Sequence, residues 1–254
     1  MESLRRLSRQ LPGRRAPKVR SGPGRGLRIG RAEASAAYSH GANELAVQTA
    51  LADVLHPGGV FFDVGANVGF FAMLAARIVG PTGRAVAFEP VPANVEQVRA
   101  NARRNRLDNV TVLELAAGAI EGSATLSLAA HPGGAALASV ATVPDPIGSI
   151  VVAVASVDGL LAAGRVPPPD VVKIDVEGAE EEVLRGMATT LREHRPVVLC
   201  EIDDGTESAL ADKRTATAGL LERAGYDIRW LDPSYEGEEW LVEHFIATPG
   251  SGEA

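Results

Sequence analysis

Cysteine is almost absent from this chain of 254 residues. The lone Cys200 rules out an intrachain disulfide and removes the Cys clusters of structural zinc sites, a usage that suits a reducing cytoplasm. No run of about 18 apolar residues escapes interruption by charge, proline or glycine, so no membrane-spanning helix is expected, and the first residues lack the apolar stretch of a secretory signal. Positive charge is scarce beyond the N-terminus. Residues 1 to 31 carry ten Lys and Arg against the single acid Glu2, which leaves fifteen basic and thirty-one acidic residues for the rest. Broad contact with a phosphate backbone rests on clustered Lys and Arg, so an acidic body excludes nucleic acid as the expected partner. The dinucleotide fingerprint G-x-G-x-x-G is missing as well.

What is present is apolar material, 46% of residues, enough for one sizeable core with length left over for tails. Residues 1–40 read as a basic, disordered tail, residues 41–248 as one domain, and residues 249–254 as a short C-terminal tail. Helix periodicity starts near Leu45 and stops at His56-Pro57-Gly58-Gly59. Strand and helix then alternate: Val60 to Val64, a helix from Val68 to Val79, Ala85 to Phe88, a helix capped by Asn94, and Val110 to Leu115. An Ala/Gly/Pro-rich insertion follows over 116–149, flanked by strands Ala124 to Leu128 and Ile150 to Val154 that suit a hairpin. Alternation resumes with Val171 to Asp175, one helix from Ala179 to His194, and Val197 to Ile202. A helix from Arg214 to Ala224 and a closing strand pair, Tyr226 to Leu231 with His244 to Ala247, complete the domain. This pattern predicts a Rossmann-like α/β fold, a mostly parallel sheet with helices on both faces.

Ligands of such sheets sit beyond the carboxyl ends of the strands, so the polar residues there carry the functional reading. After the first strand comes Asp63-x-Gly65-x-Asn67-x-Gly69, whose small residues let backbone approach a ligand and whose following helix offers unpaired N–H groups. Glu89 ends the second strand, at the spacing at which an acid grips the hydroxyls of a ribose. Together they fit an adenosine-containing cofactor. A pyrophosphate needs no carboxylate beside it, whereas S-adenosylmethionine (SAM) brings an ammonium and a sulfonium that Asp63 favours.

The block Lys173-Ile174-Asp175-Val176-Glu177-Gly178-Ala179-Glu180 makes the reading specific. With the FFDVGANVG segment, Phe88-Glu89-Pro90, Leu184-Arg185-Gly186 and Pro196 to Ile202, the chain resembles the FkbM-type methyltransferases over about residues 44 to 247. That resemblance implies a class I methyltransferase fold with a C-terminal antiparallel strand. It implies SAM contacts at Asp63, Gly65, Asn67, Gly69 and Glu89, the adenine near Ala117 and Gly118, and methylation of a hydroxyl on a small molecule, natural product or glycan. Where family members often carry an acid soon after the third strand, this chain has Ala117-Gly118-Ala119-Ile120-Glu121.

An alcohol must also lose its proton. Asp175 is the first candidate to accept or orient it, with Glu177, His131 and Glu201 behind it. Asp175 and Glu177 equally suit capping of the following helix, and Lys173 suits pairing with a nearby acid. His40, His56, His194 and His244 show no ligand spacing and read as surface or packing residues. Asp175, Glu177 and Glu201 have the oxygen donors a hard cation takes, but no metal is assigned. Trp230, Tyr235 and Trp240 suit either an acceptor pocket or edge packing. The competing functions are a nicotinamide-dependent oxidoreductase and a non-catalytic SAM- or nucleotide-binding module.

Overall fold

The computed structural model describes residues 16–30, 39–129, 135–137, 146–234 and 241–250. Helix α1 (Leu45–Val54) leads into strand β1 (Val60–Val64), whose last four residues are all buried, as expected of a parallel strand covered on both faces. Helix α2 (Phe70–Val79) buries eight of its ten residues, which is why its sequence is apolar all round rather than on one stripe. Strand β2 (Arg84–Phe88), helix α3 (Pro92–Asn105) and strand β3 (Val110–Leu113) repeat the unit. Pro92 opens α3, where its fixed φ suits a first turn and its missing N–H costs nothing. Asn94 does not cap this helix: the N-cap is Val91, and the Asn94 amide donates instead to Glu89 Oε1 at 3.3 Å.

Strands β4 (Ala116–Ala117), β5 (Gly122–Ala129), β6 (Ala135–Leu137) and β7 (Pro146–Ala155) form a second, smaller sheet in the order β4-β7-β5-β6. The expected hairpin is there, with Ala124 opposite Val152 and Leu126 opposite Ile150. His131 lies outside the described residues. Helix α4 (Val157–Ala162) is capped by Ser156, whose Oγ accepts from the Gly159 N–H at 3.0 Å. Then come strand β8 (Val171–Ile174), helices α5 (Glu180–Arg185) and α6 (Ala188–Glu193), strand β9 (Val197–Asp204), helix α7 (Glu207–Arg223), strand β10 (Tyr226–Trp230) and strand β11 (Leu241–Pro249).

The main sheet runs β3-β2-β1-β8-β9-β11-β10, parallel except for β11, which lies antiparallel between β9 and β10. Strand order reverses between β1 and β8, so their carboxyl ends open the crevice where ligands of such sheets bind. One core packs Phe61, Phe71, Met73 and Leu199 beneath α1 to α3. The other packs Phe62, Phe88, Ile174 and Met187 on the opposite face.

Two expectations are corrected here. The helix from Ala179 to His194 is two short helices, broken at Gly186, where a Cβ would stand 1.9 Å from the Gly118 carbonyl oxygen. Across that close approach Asp158 accepts from the Thr189 and Thr190 N–H groups at 2.8 Å and starts the second helix. Nor do residues 16–30 belong to a loose tail. Val19, Leu27 and Ile29 are buried in the first core, Lys18 bridges to Arg28, and the Arg28 and Gly30 N–H groups donate to Asn105 and Asn101 of α3 at 2.8 and 3.0 Å. Composition hid this clasp because its three apolar residues are spread among glycines, prolines and arginines.

Candidate functional site

At the end of β1 the chain must turn sharply, and the glycines are what permit it. Gly65 adopts φ 85°, and a Cβ there would lie 1.7 Å from the carbonyl oxygen of Asp175, so the loops after β1 and β8 touch backbone to backbone. Asn67 is also left-handed at φ 50°, and Gly69, the N-cap of α2, would press a Cβ into Val98 at 2.9 Å. The Gly65 and Ala66 N–H groups both donate to the Phe88 carbonyl at 3.0 Å, which fastens the loop to the end of β2.

Glu89 completes that fastening. One carboxylate oxygen accepts from the Asn67 N–H at 2.7 Å, the other from the Val91 N–H at 2.8 Å and from Asn94. Burial nevertheless pushes its carboxyl up to about 7, against those three hydrogen bonds. Asp63 sits beneath the loop. Its Oδ2 accepts from the Ala72 N–H at 2.8 Å, its buried Oδ1 has no hydrogen-bond partner, and burial raises the group to about 6. An orphaned buried carboxylate oxygen is costly unless a donor or a cation reaches it.

Beyond β8, Asp175 receives the Lys173 ammonium at 2.7 Å and its own N–H donates to the Val64 carbonyl at 3.0 Å. Glu177 follows in a left-handed conformation, φ 56°, and burial together with the neighbouring Asp175, Asp203 and Glu180 lifts it to about 8. Glu180 is buried and accepts from the Gly178 N–H at 2.9 Å, while Glu181 and Glu182 face solvent and bind Arg185.

Gly65, Asn67, Glu89, Ala117, Asp175 and Glu177 line one open cleft, which Phe88, Val91, Leu126 and Val176 make apolar between the carboxylates. Apolar walls with a few convergent polar groups are the lining of a small-molecule site. Of the residues expected from the sequence, Asp63 and Gly69 stand behind this cleft as supports, and Gly118 lines a neighbouring groove with Glu181 and Arg185.

Sequence reasoning missed a second layer. Lys173 is buried, and its ammonium stacks 4.5 Å from the centre of the Phe71 ring. Burial opposes its charge, but Asp175, Glu44, Asp63 and Glu201 together hold its pKa well above the usual lysine range. Behind it His244 is buried, not at the surface, with Nε2 2.6 Å from Glu201 Oε2 and 3.8 Å from Glu44 Oε2. Burial drives His244 down to about 4, with Lys173 adding to the shift, so its imidazole is neutral at physiological pH. Among the described residues, Glu44, Glu201 and His244 are the group whose ligating atoms fall within 4.8 Å of one another; Asp175 and Glu177 are not part of it. The Lys173 ammonium, 3.9 Å from Glu44, already supplies a cation there. The only sequence signal for this layer was Lys173 inside an apolar strand, since a buried ammonium demands carboxylate partners. Trp230 packs at the sheet edge, 5.1 Å from Phe245 and under the Arg214 guanidinium, while Tyr235 and Trp240 lie outside the described residues.

Comparison with known proteins bears on this geometry. Residues 63–228 match the methyltransferase FkbM domain. The chain is similar to the hexuronic acid methyltransferase AglP of Haloferax volcanii, 33% identical over 161 residues covering 63% of each protein. It is also similar to the 31-O-demethyl-FK506 methyltransferase FkbM of Streptomyces tacrolimicus, 30% identical over 73% of this chain and 79% of that protein. Among solved structures, the methyltransferase FkbM of Methylobacillus flagellatus shares the fold with a TM-score of 0.53 at 17% identity, over 80% of this chain and 55% of that one.

Proposed function

The chain belongs to the FkbM methyltransferase family and uses SAM, and from that premise we propose that it methylates a hydroxyl oxygen of a small molecule or glycan. The observation that carries this reading is the convergence of Gly65, Asn67, Glu89, Ala117, Asp175 and Glu177 on one cleft at the switch between β1 and β8. In this reading Gly65, Asn67, Glu89 and Ala117 hold the adenosine part of SAM, with Asp63 and Gly69 supporting the loop. The lone-pair capacity left on Glu89 suits ribose hydroxyls, and the unpartnered Oδ1 of Asp63 suits the cation that SAM brings.

SAM supplies an electrophilic methyl on its sulfonium. The acceptor oxygen forms the new C–O bond as the S–C bond breaks, and the hydroxyl proton passes to Asp175, which lines the mouth of the cleft. Glu177 is the second carboxylate in reach of the same space. Alignment of donor and acceptor contributes most of the acceleration, and a general base adds about 10²- to 10⁴-fold. The domain of 41–248 then carries the chemistry, and the insertion of 116–149 contributes a wall of the cleft through Ala117 and Leu126. No helix among the described residues is long and apolar enough to cross a membrane, and a reducing cytoplasm is the compartment proposed from the lone buried Cys200.

The names of the two relatives, a hexuronic acid methyltransferase and a 31-O-demethyl-FK506 methyltransferase, direct the choice of acceptors. Transfer of labelled methyl from SAM to p-nitrophenyl glucuronide, p-nitrophenyl glucoside and 31-O-demethyl-FK506 tests the reading, with transfer RNA as the contrasting acceptor. Asp175→Asn should retain SAM binding and lose at least about 10²-fold in turnover. Undiminished turnover would remove Asp175 from the chemistry, and label reaching only the RNA would overturn the acceptor class.

A further inference from the structure

The family match begins at residue 63, yet a buried carboxylate from ahead of it reaches Lys173, the partner of Asp175 in the cleft. Glu44 is the N-cap of α1, held in a left-handed conformation at φ 45°, a strained choice for a residue with a long side chain. The strain is maintained from several sides. Asn43 donates its amide to Glu44 Oε1 at 2.8 Å, and Gln48 donates to the carbonyls of Asn43 and Gly41. The Gln48 Oε1 in turn accepts from the Gly24 N–H of the clasp, and Gly41 lies so close to the Ser21 carbonyl that a Cβ would stand 2.2 Å from it. Everything in this segment converges on placing one carboxylate oxygen 3.9 Å from the Lys173 ammonium.

Lys173 is therefore gripped from two sides, by Asp175 at 2.7 Å toward the cleft and by Glu44 at 3.9 Å behind. A buried ammonium with one carboxylate partner forms a closed pair whose field cancels at short range; with a second partner the charge is shared, and the cleft-facing carboxylate keeps more of its negative potential. The surrounding groups strengthen the case. Asp63 faces Lys173 from β1, Glu201 and Asp203 come from β9, Glu177 and Glu180 from the segment after β8, and neutral His244 from β11; among these, Lys173 is the central cation.

We propose that Glu44 is a positioning residue of the methyl-transfer site, acting through Lys173 to hold the Asp175 carboxylate in place and negative where the SAM sulfonium rests. The proposal rests on the reading of this cleft as the SAM site, and adds to it that Asp175 is the carboxylate beside the sulfonium. Loss of Glu44 leaves more of the Lys173 charge to neutralise Asp175, which weakens the preference of the site for a charged sulfur over a neutral one.

SAM and S-adenosylhomocysteine differ at the sulfur by that charge and one methyl, so their affinity ratio reports the field at the reacting atom without any acceptor. Calorimetric titration of both ligands into the full chain, its Glu44→Gln, Glu44→Asp and Asp175→Asn variants and the Glu44→Gln/Asp175→Asn double variant forms the test. Glu44→Gln should shift the ratio toward S-adenosylhomocysteine by about 3- to 10-fold, with a much smaller shift in the Asp175→Asn background. Glu44→Asp, which keeps the charge but draws it one methylene further from Lys173, should show a smaller shift in the same direction and retain at least half of the preference. A purely structural role would weaken both ligands alike and leave the ratio unchanged, which overturns the proposal. Equal shifts in both backgrounds would overturn the route through Asp175. An Asp175→Asn variant with the wild-type ratio would instead overturn the placement of Asp175 at the sulfonium. If Glu44→Gln does not fold, the Glu44→Asp ratio decides: a ratio equal to wild type or higher refutes the proposal, and a partial fall supports it.

Discussion

The two flanks of the cleft are built by different means. On the β1–β2 flank the loop is held by backbone: Gly65, Ala66 and Asn67 donate N–H groups to Phe88 and Glu89, and every donor comes from within a few residues of a strand end. On the β8–β9–β11 flank the groups are ionisable side chains, Lys173, Asp175, Glu201 and neutral His244 with Glu44, drawn from across the chain. The first flank, a backbone cradle, is fixed by local hydrogen bonds. The second is fixed by ion pairs and hydrogen bonds between side chains distant in sequence.

The most severe way to break this contrast is to act where the flanks meet. Gly65→Ala places a Cβ 1.7 Å from the Asp175 oxygen at a φ of 85°, so both loops must move. We expect a stability loss of roughly 3 kcal/mol or more and no measurable SAM binding, checked by urea unfolding and calorimetry. A variant that binds SAM normally would mean that the backbone contact is dispensable.

A change of pH separates the flanks more gently. The carboxyls of Asp63, Glu89, Glu180 and Glu177 titrate at about 6, 7, 7 and 8 in the fold, all above their ordinary values of 3.8 to 4.5. A folded pKa above the unfolded one means that the native state holds more protons in that window, so stability is greatest below about 4.5 for these groups and declines as pH rises through 6 to 8. The melting temperature of the SAM-free protein should therefore fall on the order of 5 °C from pH 6 to pH 8.5. SAM, bringing positive charge, should restore more of it at pH 8.5 than at pH 6. A SAM increment that shrinks with rising pH would contradict the electrostatic account of the second flank.

The smallest expected effect concerns redundancy in the cradle. Asn94 makes the longest of the three hydrogen bonds to Glu89, 3.3 Å, and two backbone donors remain without it. Asn94→Ala should cost about 0.5 kcal/mol in stability and less than about threefold in SAM affinity. A larger loss by calorimetry would make Asn94 a direct ligand contact.

The contrast also explains what could be read from the sequence. Asp63 to Gly69 and Glu89 are contiguous motifs at strand ends, and the alternation that placed the strands is a local pattern, so the cradle and sheet were legible. Asp175 and Glu177 were legible for the same reason. Glu44 and His244 were not. Each lies in an ordinary stretch: pairing of β11 beside β9 sets His244 opposite Glu201, and Glu44 reaches Lys173 from the N-cap of α1. The broken helix at Gly186 and the clasp of residues 16–30 were missed because both depend on tertiary contacts, with Gly118 and with α3, that no window of sequence contains.

The antiparallel return of β11 has a consequence for how the fold assembles. Glu44 stands ahead of the first strand of the sheet and His244 on β11, yet the two approach within 3.8 Å once β11 has inserted between β9 and β10. Contacts so far apart in sequence carry a large loop-closure cost and form late, whereas the loop after β1 is fastened by neighbours close in the chain. During refolding, amides of the loop after β1 should therefore gain hydrogen-exchange protection before those of β11 do.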